Sequence, residues 1–197
     1  MLNPRPSAAI LAGGHARRFG GRDKSRLVIE GRSIVGRQME VLQRIAHPIY
    51  IVGPHADLYA DVGVPVYADL LPGYGAIGGL YTALEVADTD RVVVVGCDLP
   101  FLDAGLLAHL HARAAGHDAA WVSTARGPEP LVACYARRVR TVVLDRLRDD
   151  ALKLGDLNAV LDVAMVSEQD VARFGPIWRL LANVNTPDDF ARIESSR

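Results

Sequence analysis

The 197-residue sequence predicts an α/β fold with a mostly parallel sheet, on three observations. Short apolar runs alternate along the chain with stretches of helical periodicity. One run, Val92-Val93-Val94-Val95, is apolar on both faces, as a central parallel strand has to be. The segments after that run and after the first apolar run carry the most distinctive polar residues, and open α/β sheets collect ligands beyond the carboxyl ends of their strands.

The elements follow in order. Ala8–Ala12 reads as the first strand. Ser33 is a helix cap, and Val35, Met39, Leu42 and Ala46 then fall on one helical face, with Pro48 as the stop. Ile49–Val52 and Val64–Tyr67 read as strands, and Leu80, Ala83, Leu84 and Ala87 mark the apolar face of a second helix. Asp103 caps a helix built on Leu106, Leu107 and Leu110. Strands are expected near Ala119–Thr124 and Leu131–Tyr135, a helix from about Val139 to Arg148, and a strand near Val160–Val166. Thr186-Pro187 with Asp188 and Asp189 is a helix start. No internal repeat or long linker divides the chain, so one domain over residues 1–197 is expected.

Composition narrows the function. Half the residues are hydrophobic, enough for a sizeable core, and a net charge of -1 argues against a nucleic-acid or membrane-surface binder. No apolar run approaches the ~20 residues of a membrane span, and the N-terminal residues lack a signal-peptide core. Cys97 and Cys134 form no metal-binding pattern and sit in apolar runs, as buried free thiols of a reducing compartment do. A cytoplasmic protein is expected. His109 and His111 lie two apart on a helix and face different ways, and His47, His55 and His117 fall in loops, so the histidines suggest no metal site.

The chemistry concentrates in a few segments. After the first strand come Gly13-Gly14-His15-Ala16-Arg17-Arg18-Phe19-Gly20-Gly21-Arg22-Asp23-Lys24, with paired glycines and four cationic side chains against one acid. Glycines let backbone N–H groups close on an anion, so this is a phosphate site in outline. Among the 22 Lys and Arg residues only Lys24 and Lys153 are lysines, which suggests that a compact ammonium is wanted at Lys24. Asp98, at the end of the Val92–Val95 run and fixed by Pro100, is placed to bring a hard cation such as Mg²⁺ to phosphates; a turn or helix cap is the plainer role. Asp69 opens a glycine-rich entry to the second helix, either as an acceptor for the N1–H and N2–H edge of guanine or as a turn aspartate. Asn183 and Asn185 point the same way in an extended segment, and paired amides suit a heteroaromatic ligand.

Leu11-Ala12-Gly13-Gly14, Arg18-Phe19-Gly20, Asp23-Lys24, Asp69, Gly75–Leu80, Cys97-Asp98-Leu99-Pro100, Glu129-Pro130-Leu131 and Asn183-Val184-Asn185-Thr186-Pro187 together resemble the molybdenum cofactor guanylyltransferase family, in family order over nearly the whole chain. The resemblance implies a three-layer α/β/α Rossmann-like nucleotidyltransferase fold. It implies that the terminal phosphate of molybdopterin attacks the α-phosphorus of GTP and pyrophosphate leaves. It assigns Lys24, Arg18 and Asp98 to catalysis, and Leu11, Ala12, Gly13, Gly14, Lys24, Asp69 and Asp98 to GTP. Asp98 would hold Mg²⁺, and Glu129, Pro130, Asn183 and Asn185 would lie on the molybdopterin side. Transient contact with molybdenum-insertion or molybdoenzyme-maturation proteins also follows from it. Gly13 resembles the guanine branch, whose cytidylyl relatives tend to have alanine there. Two places depart from the pattern: Val52-Gly53-Pro54, where the family often has an asparagine, and Lys153-Leu154-Gly155-Asp156, which is poorer in basic and hydroxyl groups. The rival readings are a cytidylyl or sugar-phosphate nucleotidyltransferase of the same fold, and a non-catalytic binder of molybdopterin or GTP.

Overall fold

The computed structural model describes residues 5–13, 24–54 and 56–195. Seven strands form one sheet in the order β5-β4-β1-β6-β8-β7-β9. These are β1 (Ser7–Leu11), β4 (Ile49–Val52), β5 (Val66–Tyr67), β6 (Arg91–Gly96), β7 (Ala119–Thr124), β8 (Gly127–Ala136) and β9 (Val163–Ser167). Only β8 runs against the rest; it pairs antiparallel with β6 and β7, and the other pairings are parallel. The mostly parallel sheet expected from the sequence is therefore present.

Alternate residues of the strands feed two separate cores. Ala8, Ile10, Val93 and Val95 pack with α1 (Ile34–Leu42) and α3 (Ala104–Arg113) on one face. Ala9, Leu11, Val92 and Val94 pack with α2 (Gly75–Val86) and α4 (Arg140–Arg148) on the other. That is the three-layer α/β/α arrangement. The predicted caps are in place: Ser33 accepts from the Gly36 N–H at 3.2 Å, and Asp103 accepts from the Leu106 N–H at 2.9 Å.

Several elements differ from expectation. A two-strand hairpin, β2 (Val28–Ile29) and β3 (Arg32–Ser33), turns through Glu30 and Gly31, both at positive φ. The strand expected at Val64–Tyr67 is only Val66–Tyr67. The one expected near Val160–Val166 begins at Val163, because Leu154–Ala159 wind into a 3₁₀ turn that buries Leu154 and Leu157. Short helices α5 (Glu168–Val171) and α6 (Ile177–Leu180) follow β9, and α7 (Pro187–Ser195) starts at the predicted Thr186-Pro187. Among the described residues no helix is long and apolar enough to cross a membrane.

From β1 the chain moves to β4 and β5 on one side, then returns to place β6 on the other. The carboxyl ends of β1 and β6 therefore flank a topological switch point, the crevice where such sheets take ligands.

Candidate active site

The site begins at the matched ends Leu11, Val52 and Gly96. The Leu11 carbonyl accepts the Cys97 N–H at 3.2 Å, and the Ala12 N–H donates to the Val52 carbonyl at 2.7 Å. These backbone groups are thus engaged with neighbouring strands, leaving the Ala12 carbonyl and Gly13 at the opening. Among the described residues a Cβ at Gly13 would meet nothing within 4 Å, so the backbone there is open to the close approach of a ligand. Gly14 and Arg18 lie outside the described residues.

Lys24 opens a 3₁₀ turn leading into the hairpin, half-buried, with its Nζ donating to Asn185 Oδ1 at 2.9 Å. The amide carbonyl orients the ammonium without neutralising it. Asp98 sits two residues beyond β6 and is half-buried. Burial pushes its carboxyl above the usual range, against the pull of the Lys24 ammonium and its own backbone N–H. Two contacts fix the turn that carries it. The Gln38 amide donates to the Gly96 carbonyl at 2.7 Å and the Leu99 carbonyl at 3.0 Å, and the Val184 N–H donates to the Asp98 carbonyl at 2.9 Å. Gly96 leaves room for the carboxylate, since a Cβ there would stand 2.9 Å from Asp98 Oδ1. Gln38 was not singled out from the sequence. The available signal was a polar residue on the face of α1 that buries Val35, Met39 and Leu42.

Glu129 lies on β8 opposite Val122, where the register shifts after Trp121. Burial raises its carboxyl too; the Arg126 guanidinium opposes this and the Asp98 charge adds to it. The fold therefore sets Asp98 within electrostatic reach of both Glu129 and the Lys24 ammonium. Two half-buried acids fit a divalent cation that binds few protein carboxylates and takes its remaining ligands from phosphates and water. Among the described residues no group of three or more His, Cys, Asp and Glu forms a fuller metal cage. Pro130 contributes a carbonyl already engaged by the Tyr135 hydroxyl at 2.8 Å.

The remaining predicted residues separate. Val184 is buried between Asn183 and Asn185. Asn185 holds Lys24, while exposed Asn183 lines a cleft beside Trp178, so the two do not present a pair of unengaged amides. Asp69 Oδ1 accepts the Leu71 N–H at 3.0 Å and faces the Thr82 hydroxyl at 2.9 Å, which makes it the turn aspartate of the plainer reading. Its Oδ2 points toward Gly78, where a Cβ would lie 3.3 Å away, and takes no donor among the described residues. At the first departure a Gly53 Cβ would fall 2.3 Å from the Ala12 carbonyl oxygen, so no side chain fits there as the backbone stands. At the second, Lys153 is largely exposed and 3.5 Å from Asp156, an ordinary surface pair.

Residues 8–167 match the family model for the MobA-like NTP transferase domain. The chain is 30% identical over 187 residues to a probable molybdenum cofactor guanylyltransferase of Carboxydothermus hydrogenoformans, covering 95% of this chain and 94% of that one. A probable molybdenum cofactor guanylyltransferase of Bacillus subtilis is 31% identical over 195 residues, with 94% and 92% covered. The crystal structure of molybdopterin-guanine dinucleotide biosynthesis protein A from Archaeoglobus fulgidus matches with a TM-score of 0.80 at 26% identity, covering 96% of this chain and 97% of that one.

Proposed function

Because the chain belongs to the MobA-like NTP transferase family and is a nucleotidyltransferase, we propose that it transfers GMP from GTP to the terminal phosphate of molybdopterin. An oxygen of the acceptor phosphate forms a bond to the α-phosphorus, the bond from that phosphorus to the bridging oxygen breaks, and pyrophosphate leaves. Such transfer needs in-line positioning and charge neutralisation more than a covalent nucleophile. The observation that carries the reading is the Asn185-held Lys24 ammonium within electrostatic reach of Asp98 at the switch point, with Glu129 on the adjoining β8.

In this reading Lys24 neutralises phosphate oxygens as a point charge, and Arg18 adds a second cation. Asp98, with Glu129 beside it, would hold a divalent cation, which we assign as Mg²⁺; bound there it supplies Lewis-acid neutralisation of phosphate charge. The Ala12 carbonyl and Gly13 border the nucleotide, with Leu11 and Gly14 on either side. Asp69 offers Oδ2 to guanine while Thr82 and the Leu71 N–H hold the carboxylate in place. Asn183 and the Glu129-Pro130 segment face the acceptor. The chain works as one domain over residues 1–197, in the cytoplasm, on a cofactor exchanged with molybdenum-insertion or molybdoenzyme-maturation proteins.

Calorimetric titration with GTP, CTP and ATP in the presence of Mg²⁺ tests this. GTP is expected to bind preferentially, and Lys24→Ala to abolish most of that binding. Preference for CTP, or GTP binding that ignores Lys24, would overturn the guanylyl assignment.

A further inference from the structure

A cleft of about 340 Å³ opens between the turn that joins β7 to β8 and the segment that precedes Val184. Phe101, Arg126, Trp178, Arg179, Asn183 and Arg192 line it, together with apolar residues and no carboxylate. Arg179 and Arg192 already have partners. Arg179 lies 3.9 Å from the Phe101 ring centroid and 2.9 Å from Glu30, and Arg192 is 2.8 Å from Asp189. Arg126 has no side-chain ion pair among the described residues, and its charge reaches the half-buried Glu129. Trp178 is 61% exposed, the most exposed large hydrophobic side chain among the described residues. An exposed indole and a guanidinium with no ion pair among the described residues, lining one cleft, fit a flat heteroaromatic ring that carries an anion.

The cleft also connects to the reacting edge. Asn183 lines it, the next residue donates its N–H to the Asp98 carbonyl, and the one after holds Lys24. Asp69 and Gly53 follow β5 and β4 on one side of β1; the cleft lies on the β8 side.

We propose that Trp178 and Arg126 form the acceptor subsite, with the indole stacking on the pterin ring and the guanidinium pairing with the terminal phosphate. The assignment rests on molybdopterin being the acceptor. Arg126 holds the attacking phosphate beside Glu129 and Asp98, and Trp178 fixes the plane of the ring behind it.

Trp121 and Trp178 are the chain's two tryptophans, and Trp121 is buried. Molybdopterin added without GTP is expected to quench the emission of the exposed indole, and Trp178→Phe to abolish that response while leaving the Trp121 emission intact. In steady-state assays Trp178→Ala and Arg126→Ala are each expected to raise KM for molybdopterin by about tenfold or more and to leave KM for GTP unchanged. Trp178→Phe and Arg126→Lys should recover part of the loss. An active parent whose molybdopterin KM is unmoved by both alanine variants overturns the subsite, as does a parallel rise in both KM values or the absence of quenching. A parent that forms no dinucleotide, yet shows Trp178-dependent quenching by molybdopterin, refutes the transfer reaction and retains the subsite.

Discussion

Asp98 shows how one side chain's environment sets opposite demands for stability and activity. Its carboxyl titrates above the ordinary range because burial outweighs the attraction of Lys24. In the ligand-free protein the folded state therefore keeps a proton that the unfolded chain has already released, and stability falls as pH rises from the ordinary carboxylate range through the raised value. Asp98→Asn removes that fall. The variant is expected to melt higher than the parent at neutral pH in the presence of a chelator, while turnover drops by about 100-fold or more. Scanning calorimetry across pH checks the first half, and a parent that melts higher than the variant at neutral pH would refute it. Lys24→Ala is expected to lose turnover by a similar factor, about 100-fold or more, with its melting temperature nearly unchanged, because the side chain is half-buried and touches Asn185 rather than the core. Both residues were readable in the sequence, one by the scarcity of lysine and the other by its place at a strand end. Asn185 as the Lys24 holder was not, since that contact spans 161 positions and has no local periodicity to announce it. Gln38 reaches the Asp98 turn across 58 and 61 positions and was hidden for the same reason.

Strands and helices with a strong apolar period were visible in the sequence, and those shaped by their neighbours were not. Ile49–Val52 and Arg91–Gly96 matched closely because burial on both faces leaves their composition no freedom. The hairpin through Glu30 and Gly31 escaped because each of its strands has only two residues, too few to show an alternation. The loop after β4 shows an element held by its neighbours. Gly53 donates its N–H to the Tyr67 carbonyl at 2.9 Å and passes against Ala12, where a Cβ would lie 2.3 Å from the carbonyl oxygen. Gly53→Asn should therefore push the loop away from β1 instead of adding a useful contact. The expected result is a stability loss of ~1–3 kcal/mol with weaker GTP binding. Denaturant melts and GTP calorimetry measure the two effects, and tighter GTP binding with unchanged stability would show that the loop moves freely.

The whole molecule is two sheet-face cores and a third, smaller cluster that assembles the site. Buried Ile29, Ile34 and Val184, with Leu27, Phe101, Phe190 and Ile193 against them, join the hairpin, the start of α1, the segment after Asp98 and helix α7. Lys24 lies three residues before this cluster begins, and Asn185 directly follows Val184. Packing there brings the hairpin and α7 together at the carboxyl edge, while the two large cores lie on the sheet faces. Local opening of such a satellite costs less than global unfolding, so it should behave as its own cooperative unit. Val184→Ala removes two buried methyl equivalents, about 1–2 kcal/mol, and keeps the backbone N–H that bonds Asp98. Amides of α7 and the hairpin are then expected to exchange faster, with β1 and β6 as protected as before, and kcat to fall because Lys24 loses its holder for part of the time. Hydrogen exchange read by mass spectrometry distinguishes this from a single cooperative unit, in which protection in β1 and β6 would drop in step with that of α7. GTP should reverse the faster exchange by closing the same contacts, since a ligand that requires the assembled site stabilises it in proportion to its occupancy.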